Sequence, residues 1–198
     1  DEEQPKLTAE VLAPLTKLVE LAVGDQLLAP GALAALPKLK RLGLGLDTSP
    51  PSSGLLAPLT SLERLEVWAA ARLPIGDLFS SVSKTVRTLV LSANFLKQEQ
   101  VAAGLTALPN LERLELASPE WATLDVLEKL LAKTKVRAVF VRSDFGEFRL
   151  EDGRLTVENL GADRSPEQLL GGRAPKGLLS KVLLPDSLDA ERRAQAIV

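Results

Sequence analysis

The chain has 198 residues, of which 45% are hydrophobic and 25% charged, and its formal net charge is −2 at pH 7. This length is enough to bury a core without disulfides or a structural metal. The chain has no His and no Cys, which excludes imidazole bases, thiol nucleophiles, disulfides and cysteine-ligated metal centres. We therefore expect a protein that is not an enzyme and that needs no cofactor and no metal.

Charge and hydropathy along the chain exclude two further classes of partner. Basic residues are spread evenly, so the sequence predicts no binding of nucleic acid. The longest uncharged stretch, residues 48–62, has three prolines and is too short to span a bilayer, so we expect no membrane insertion. The first residue is not Met, which indicates removal of an upstream segment and leaves a soluble protein either in the cytoplasm or exported.

Leucine dominates the composition, with 42 residues against only 2 Ile, and the leucines recur in a fixed frame. The pattern L-x-x-L-x-L, with Val at some positions, occurs six times, and its first residues are Leu18, Leu39, Leu62, Val86, Leu111 and Val136. Alternation within each segment predicts a short strand. Between the segments lie helix-compatible stretches at residues 31–36, 99–103 and 124–131. The repeat predicts stacked strand–turn–helix units.

From Leu7 to Asp144 the frame resembles that of leucine-rich-repeat proteins. The resemblance implies an α/β solenoid, a curved right-handed stack with parallel strands on the concave face and helices on the convex face. At the ninth position of the frame, five of the six repeats depart from the Asn usual in the family, so other groups must satisfy their turns. The residues at that position are Gln26, Asp47, Ala70, Asn94, Pro119 and Asp144. The bias toward Leu, Ala and Arg indicates a bacterial source.

The repeat pattern stops after Asp144. Residues 148–157 then predict a hairpin with an Asp-Gly turn, Ser165 a helix start, residues 182–184 a short strand and Ser187 a final helix. We accordingly divide the chain into a solenoid of about six repeats with an N-terminal cap, residues 1–144, and a capping region, residues 145–198. The alternative for the second region is a separate small functional module.

We call the Leu and Val positions of the L-x-x-L-x-L pattern the framed positions. The residues between them lie on the other face of the strands, where they are expected to meet a partner. Six strands give a surface roughly 24 Å wide, which suits a helix, an extended peptide or the edge of a small domain. Arg and aromatic side chains dominate interface energetics. The candidate partner-binding residues are Arg41, Arg64, Glu66, Trp68, Arg113, Glu115, Phe140 and Arg142. The alternative is that the Arg–Glu pairs are salt-bridge ladders and that the aromatic rings pack on neighbouring loops.

Weaker candidates are interpreted as structural. Trp121 follows a strand and either extends the aromatic surface or packs under its own loop. Gly43 and Gly45 either allow close approach of a ligand or relieve crowding. Residues 171–177 lack the spacing of a phosphate-binding loop and predict a connector. The carboxylates Asp144, Glu147, Glu151 and Asp152 lack the spacing of a calcium loop and predict a solvated turn.

The predicted function is a rigid, non-enzymatic scaffold that binds a protein or peptide on the concave strand face and is a monomer on its own. The alternative is an architectural domain of a larger protein that docks intramolecularly. A remote third alternative is an enzyme that uses carboxylates. The sequence does not identify the partner.

Overall fold

The structure is a computed structural model that describes residues 6–46, 54–69, 78–79, 81–82, 84–92, 98–117, 131, 134–143, 146–151, 154–158 and 182–183. Nine strands form one mostly parallel sheet in the order of the chain. Their bounds are β1 Glu20–Gly24, β2 Arg41–Leu46, β3 Arg64–Ala69, β4 Thr88–Ser92, β5 Arg113–Ala117, β6 Ala138–Ser143, β7 Gly146–Glu151, β8 Arg154–Glu158 and β9 Val182–Leu183. The fold class is therefore α/β, with few helices among the described residues.

The six framed segments form strands β1 to β6, which confirms the strands expected from the repeat. Each pairs in parallel with the next, and framed residues align with framed residues across every pair, as in Leu65 with Leu89 and Leu114 with Val139. This register follows from burying one face, because a slip by one residue would turn the leucines to solvent. Framed residues of β2 to β6 are all nearly inaccessible, and those of β1 are half-buried.

One backbone contact repeats at the start of the strands. The carbonyl oxygen of Lys40 accepts two N–H groups, from Glu63 at 2.8 Å and Arg64 at 2.9 Å. The carbonyls of Val19, Glu63, Arg87 and Glu112 accept the equivalent pairs from the strand that follows each of them. The five-fold recurrence satisfies the backbone where the ladder begins.

A second repeated contact closes the turn before four of the strands, β1, β2, β3 and β5. The amide of Leu39 donates to the carbonyl of Leu36 at 3.1 Å, which makes a tight turn between two leucines. Equivalent bonds join Leu15 to Leu18, Leu59 to Leu62 and Leu108 to Leu111. In these four repeats a leucine also stands three positions before the frame, and it is the residue that begins the turn.

The connections differ from the predicted row of helices. In the described part of the chain, one helix exceeds a single turn, Gln98–Ala107, and it covers the predicted stretch 99–103. Residues 31–36 instead form the 3₁₀ turn Ala32–Ala35. A four-residue helix, Ala9–Leu12, precedes β1, and the hydroxyl of Thr8 accepts from the amide of Val11 at its start. The predicted stretch 124–131 lies outside the described residues except for Leu131.

Beyond the repeat, the predicted hairpin is confirmed as β7 and β8, which pair antiparallel with each other. β7 also pairs antiparallel with β6, so the hairpin extends the same sheet. The predicted strand at residues 182–184 appears as β9, paired in parallel with β8. The predicted helices after Ser165 and Ser187 lie outside the described residues. The division at residue 144 stays a prediction.

Candidate functional site

The candidate residues lie on the sheet face opposite to the framed leucines, which we call the polar face. Buried and partly exposed residues alternate along strands β3, β4 and β5, so the candidate residues lie opposite the buried leucines. Neighbouring strands bring the polar-face residues into rows, and one row runs through Gly43, Glu66, Val90, Glu115 and Phe140. All eight predicted site residues lie on this face, at Arg41, Arg64, Glu66, Trp68, Arg113, Glu115, Phe140 and Arg142.

Arg64 is the centre of an ion-pair network across three strands. Its Nε donates to Oε1 of Glu66 at 2.7 Å, and its Nη1 donates to Oε1 of Glu115 at 3.3 Å. The same oxygen of Glu115 accepts from Nε of Arg113 at 2.7 Å. Arg64 therefore reaches over β4 to β5, and two arginines and two glutamates compensate one another's charge.

The network acts on the ionisation of Arg64. Partial burial alone would lower its pKa, but the hydrogen bond to Glu66 and the charges of Glu115 and Glu66 outweigh burial and raise the pKa of Arg64. The guanidinium is therefore held in its charged form. Because Arg64 contacts two carboxylates, a partner would have to compete with both for its donors.

Phe140 lies between two arginines from the neighbouring strands. The Cζ atom of Arg113 stands 3.9 Å from the ring centroid, and that of Arg149 stands 4.6 Å from it. Both distances are within the range of a cation–π interaction. Stacking uses the flat faces of the guanidinium and the ring, so the in-plane N–H donors of the arginine stay accessible.

A depression of about 310 Å³ opens beside the Phe140 ring. Its walls carry Arg113, Arg142 and Arg149 together with Glu115 and Glu147, and Val90 and Ala117 contribute apolar surface. Nε of Arg142 donates to Oε1 of Glu147 at 2.5 Å. Arg149 pairs with Glu151 through its Nη2. The depression thus combines an aromatic ring with several charged groups, an arrangement suited to a peptide side chain.

Trp68 lies at the other end of the polar face, over strand β2. A Cβ atom placed on Gly43 would stand 2.3 Å from Cη2 of the Trp68 ring. The ring therefore occupies the space that a side chain at Gly43 would need, and 38% of Trp68 remains exposed. The absence of a side chain at Gly43 therefore makes room for the Trp68 ring. This agrees with the prediction that the glycine relieves crowding.

The alternative interpretation of the candidate residues, salt-bridge ladders with the aromatic rings packed on loops, agrees with the structure in part. The pairs Arg64–Glu66 and Arg113–Glu115 exist, but each joins residues of one strand, and the contact between strands is Arg64–Glu115. Arg41 pairs with Glu20 of β1 at 2.6 Å. Among the described residues, the Trp68 ring lies over Gly43 and the Phe140 ring contacts Arg113 and Arg149, all of them on strands.

Sequence reasoning missed three residues of this face: Glu147, Arg149 and Glu151 on β7. The antiparallel register places Arg149 opposite Phe140 and Glu147 opposite Arg142. The alternation of charged and apolar residues from 147 to 151 carried this signal, because a hairpin that joins the sheet must turn its charged positions to the polar face. The predicted solvated turn is therefore wrong for Glu147 and Glu151, which lie on β7.

Several other sequence candidates lie outside the described residues: Trp121, Asp144, Asp152 and the segment 171–177. Within the described ranges, no group of three or more carboxylates is arranged to hold a metal ion. A search of the described helices found none with the length and apolar character needed to cross a membrane.

Comparisons with known proteins add no relative. No protein-family model matches this chain, and no curated protein is significantly similar to it.

Proposed function

We propose that this chain is a leucine-rich-repeat binding module that recognises a protein or peptide on its polar face and performs no chemistry there. The observation that carries the proposal is that one face of strands β2 to β6 carries Arg and aromatic side chains together, with Arg113 against the Phe140 ring and the Trp68 ring over β2. Those strands are fixed by buried leucines on their other face, so little conformational entropy is lost when a partner binds.

Two repeated contacts support the assignment to leucine-rich repeats. The shared carbonyl at the start of each strand and the turn between two leucines recur in successive units at the spacing of the sequence frame. Such recurrence is expected of a stack in which each unit contacts only its neighbours. Since strands lie about 4.8 Å apart and a 3₁₀ turn is narrower than an α-helix, we expect a shallow curve with the polar face on its concave side.

The composition of the face supports a macromolecular partner. Trp68 and Phe140 are two of seven aromatic residues in the whole chain, 2 Trp and 5 Phe. Trp and Arg are enriched at the energetic centres of interfaces. The Arg64 network provides fixed polar groups around them, which favours one orientation of a partner over others.

Affinity capture with designed variants tests the proposal. The purified chain is compared with the triple variant Arg64→Glu/Trp68→Ala/Arg113→Glu, confirmed folded by circular dichroism. The control is Lys38→Glu/Lys84→Glu, which changes the charge equally at exposed positions away from the polar face. We expect quantitative mass spectrometry to show a protein retained by wild type and control and lost by the triple variant.

A second, milder variant keeps the test independent of the charge reversals. Trp68→Ala alone leaves every ion pair of the face in place and should still reduce retention. Equal retention by wild type and both polar-face variants would refute binding at this face.

The N-terminal end of the sheet favours a second candidate function, an architectural domain that packs against another protein part. Val11, Leu15 and Val19 are 56%, 45% and 46% exposed, and they precede β1, the first described strand of the sheet. An edge strand beside apolar side chains is prone to pair with another chain. This function predicts self-association that the variant Val11→Lys/Val19→Lys abolishes. A monomer at all concentrations, measured by light scattering, would contradict it and agree with the scaffold.

A further inference from the structure

The arginines of the polar face differ in how many of their donors are in use. Arg64 uses Nε, Nη1 and Nη2 on Glu66 and Glu115. Toward the described residues, Arg113 donates Nε to Glu115 and Arg142 donates Nε to Glu147. Within the described residues, the two Nη groups of Arg113 and of Arg142 have no acceptor.

These donors border the depression beside Phe140. Arg113 lies on β5 opposite Ala138, and Arg142 follows Phe140 by two residues on β6, so the two arginines flank the ring along the strand direction. Both line the depression. The forked Nη pair of a guanidinium matches the two oxygens of a carboxylate.

The orientation of Arg113 is fixed before a ligand arrives. Its Nε is held by Glu115 at 2.7 Å and its Cζ lies 3.9 Å from the centre of the Phe140 ring. Arg142 donates Nε to Glu147, and its side chain is 75% exposed. Glutamates thus position these guanidiniums without occupying their forked ends, which reduces the ordering cost of binding an anion.

Glu151 balances the charge of Arg149, so the Nη groups of Arg113 and Arg142, rather than the net charge of the depression, favour an acidic ligand. Three arginines and two glutamates line it, beside the apolar surface of Phe140, Val90 and Ala117. A volume of about 310 Å³ accommodates one or two side chains. The complementary segment is therefore short and carries carboxylates next to an apolar residue.

From these observations we infer that the depression beside Phe140 is a recognition subsite for an acidic peptide segment, whose carboxylates bind the Nη groups of Arg113 and Arg142 while an apolar side chain contacts Phe140. This inference rests on the proposed function and gives the chemistry of the partner at that face. It also gives the arginines different roles. Arg113 and Arg142 contact the ligand, whereas Arg64 pairs with glutamates of the chain itself.

Fluorescence polarisation with a defined probe tests the inference. The probe is a fluorescein-labelled acetyl-Gly-Glu-Leu-Glu-Gly-amide peptide, and the reference is the same peptide with Gln in place of both Glu. We expect the Glu peptide to bind at least roughly tenfold more tightly than the Gln peptide, as charge-assisted hydrogen bonds predict. Equal affinities, or no binding of the Glu peptide, would overturn the inference.

Variants locate the binding. Arg113→Gln and Arg142→Gln should each weaken the Glu peptide by roughly tenfold and leave the Gln peptide unchanged. The matched control is Arg87→Gln, an exposed arginine that pairs with Glu112 and does not line the depression. A loss caused equally by Arg87→Gln would refute the subsite, since it would indicate attraction by the general charge of the chain.

The result separates this inference from the proposed function. Failure of the peptide to bind while the capture experiment retains a partner would overturn the acidic chemistry and leave the binding module in place. If capture by the polar face fails as well, both proposals are refuted.

Discussion

The indole ring of Trp68 on β3 lies over the backbone of Gly43 on β2, with no room for a Cβ atom between them. Gly43 is opposite Glu66 in the register, so the ring leans diagonally toward the neighbouring strand. An aromatic ring over a strand glycine covers backbone that would otherwise be exposed. The contact fixes where Trp68 presents its exposed edge.

Gly43→Ala should displace the Trp68 ring, because the new methyl group would stand 2.3 Å from ring atom Cη2. The expected cost is about 1–3 kcal/mol of unfolding free energy, as in other overpacked sites. Tryptophan emission, recorded in a Trp121→Phe background so that only Trp68 reports, should shift to the red as the ring moves into solvent.

Gly45→Ala is the matched control for that substitution. Its Cβ would meet nothing nearer than 3.7 Å, so emission and stability should stay close to those of the parent chain. An unchanged spectrum for Gly43→Ala would contradict the placement of Trp68.

Leu114→Ala tests the register of the stack. Leu114 has an exposed fraction of 0% and pairs with Leu89 and Val139. Truncating a fully buried leucine should lower the unfolding free energy by about 2–5 kcal/mol. Urea denaturation measures the loss, and Leu15→Ala, at a leucine that is 45% exposed, should change it far less. Similar effects at the two positions would contradict the burial pattern.

A double-mutant cycle tests the contact between Arg64 and Glu115 across β4. Their side chains are only 32% and 23% exposed, so replacing both with Gln, singly and together, should reveal a coupling of about 1 kcal/mol. Lys40 and Glu63 form the reference pair at 2.9 Å, with both side chains more than half exposed. Their coupling should lie near the bottom of the ~0.2–1 kcal/mol range for surface pairs. The prediction fails if the two couplings are equal.

The raised pKa of Arg64 predicts how its contribution depends on pH. Burial opposes the shift, but the hydrogen bond to Glu66 and the charge of Glu115 prevail, so the folded pKa exceeds the unfolded one. The stabilisation is therefore fully present below the unfolded pKa and lost only as pH rises through the folded value. Arginine ionises far above neutrality, so the stability difference between wild type and Arg64→Gln should be constant from about pH 7 to pH 9. Denaturant unfolding at both pH values checks this, and a difference that shrinks on going to pH 9 would be inconsistent with it.

Much of the fold could be predicted from sequence because each strand has one fully apolar side. The alternation in segments such as Leu62-Glu-Arg-Leu65 leaves a single register that buries the leucines. The frame also indicated the order of strands β1 to β6, since successive repeats stack on their neighbours.

The connections were less predictable. The segment Ala32–Ala35 has helix-compatible residues but forms a 3₁₀ turn, because Gly31 adopts a φ of 77° before it and Leu36 closes it three residues after Leu33. Local propensity does not decide between a short α-helix and a 3₁₀ turn when tertiary packing sets the length of the connection.

The sequence could predict which residues form the candidate site, but not which of them contact one another. Strand alternation placed Arg64, Arg113 and Phe140 on one face. It could not indicate which carboxylate each arginine binds, because a long side chain reaches residues on strands other than its own. Arg149 was missed since its position depends on the antiparallel register of a hairpin that lies beyond the repeat.

Site-specific photocrosslinking tests the central claim, that the polar face binds a protein partner, most directly. Ser92 is the last residue of β4 on that face, in register with Trp68 and Ala117, and can be replaced by p-benzoylphenylalanine. Lys38, exposed in the turn between Leu36 and Leu39, receives the same replacement as the control. In cells of the natural host, we expect irradiation to give a discrete protein adduct from position 92 and none from position 38. An adduct from position 38 alone, or no adduct from either position, would contradict the claim.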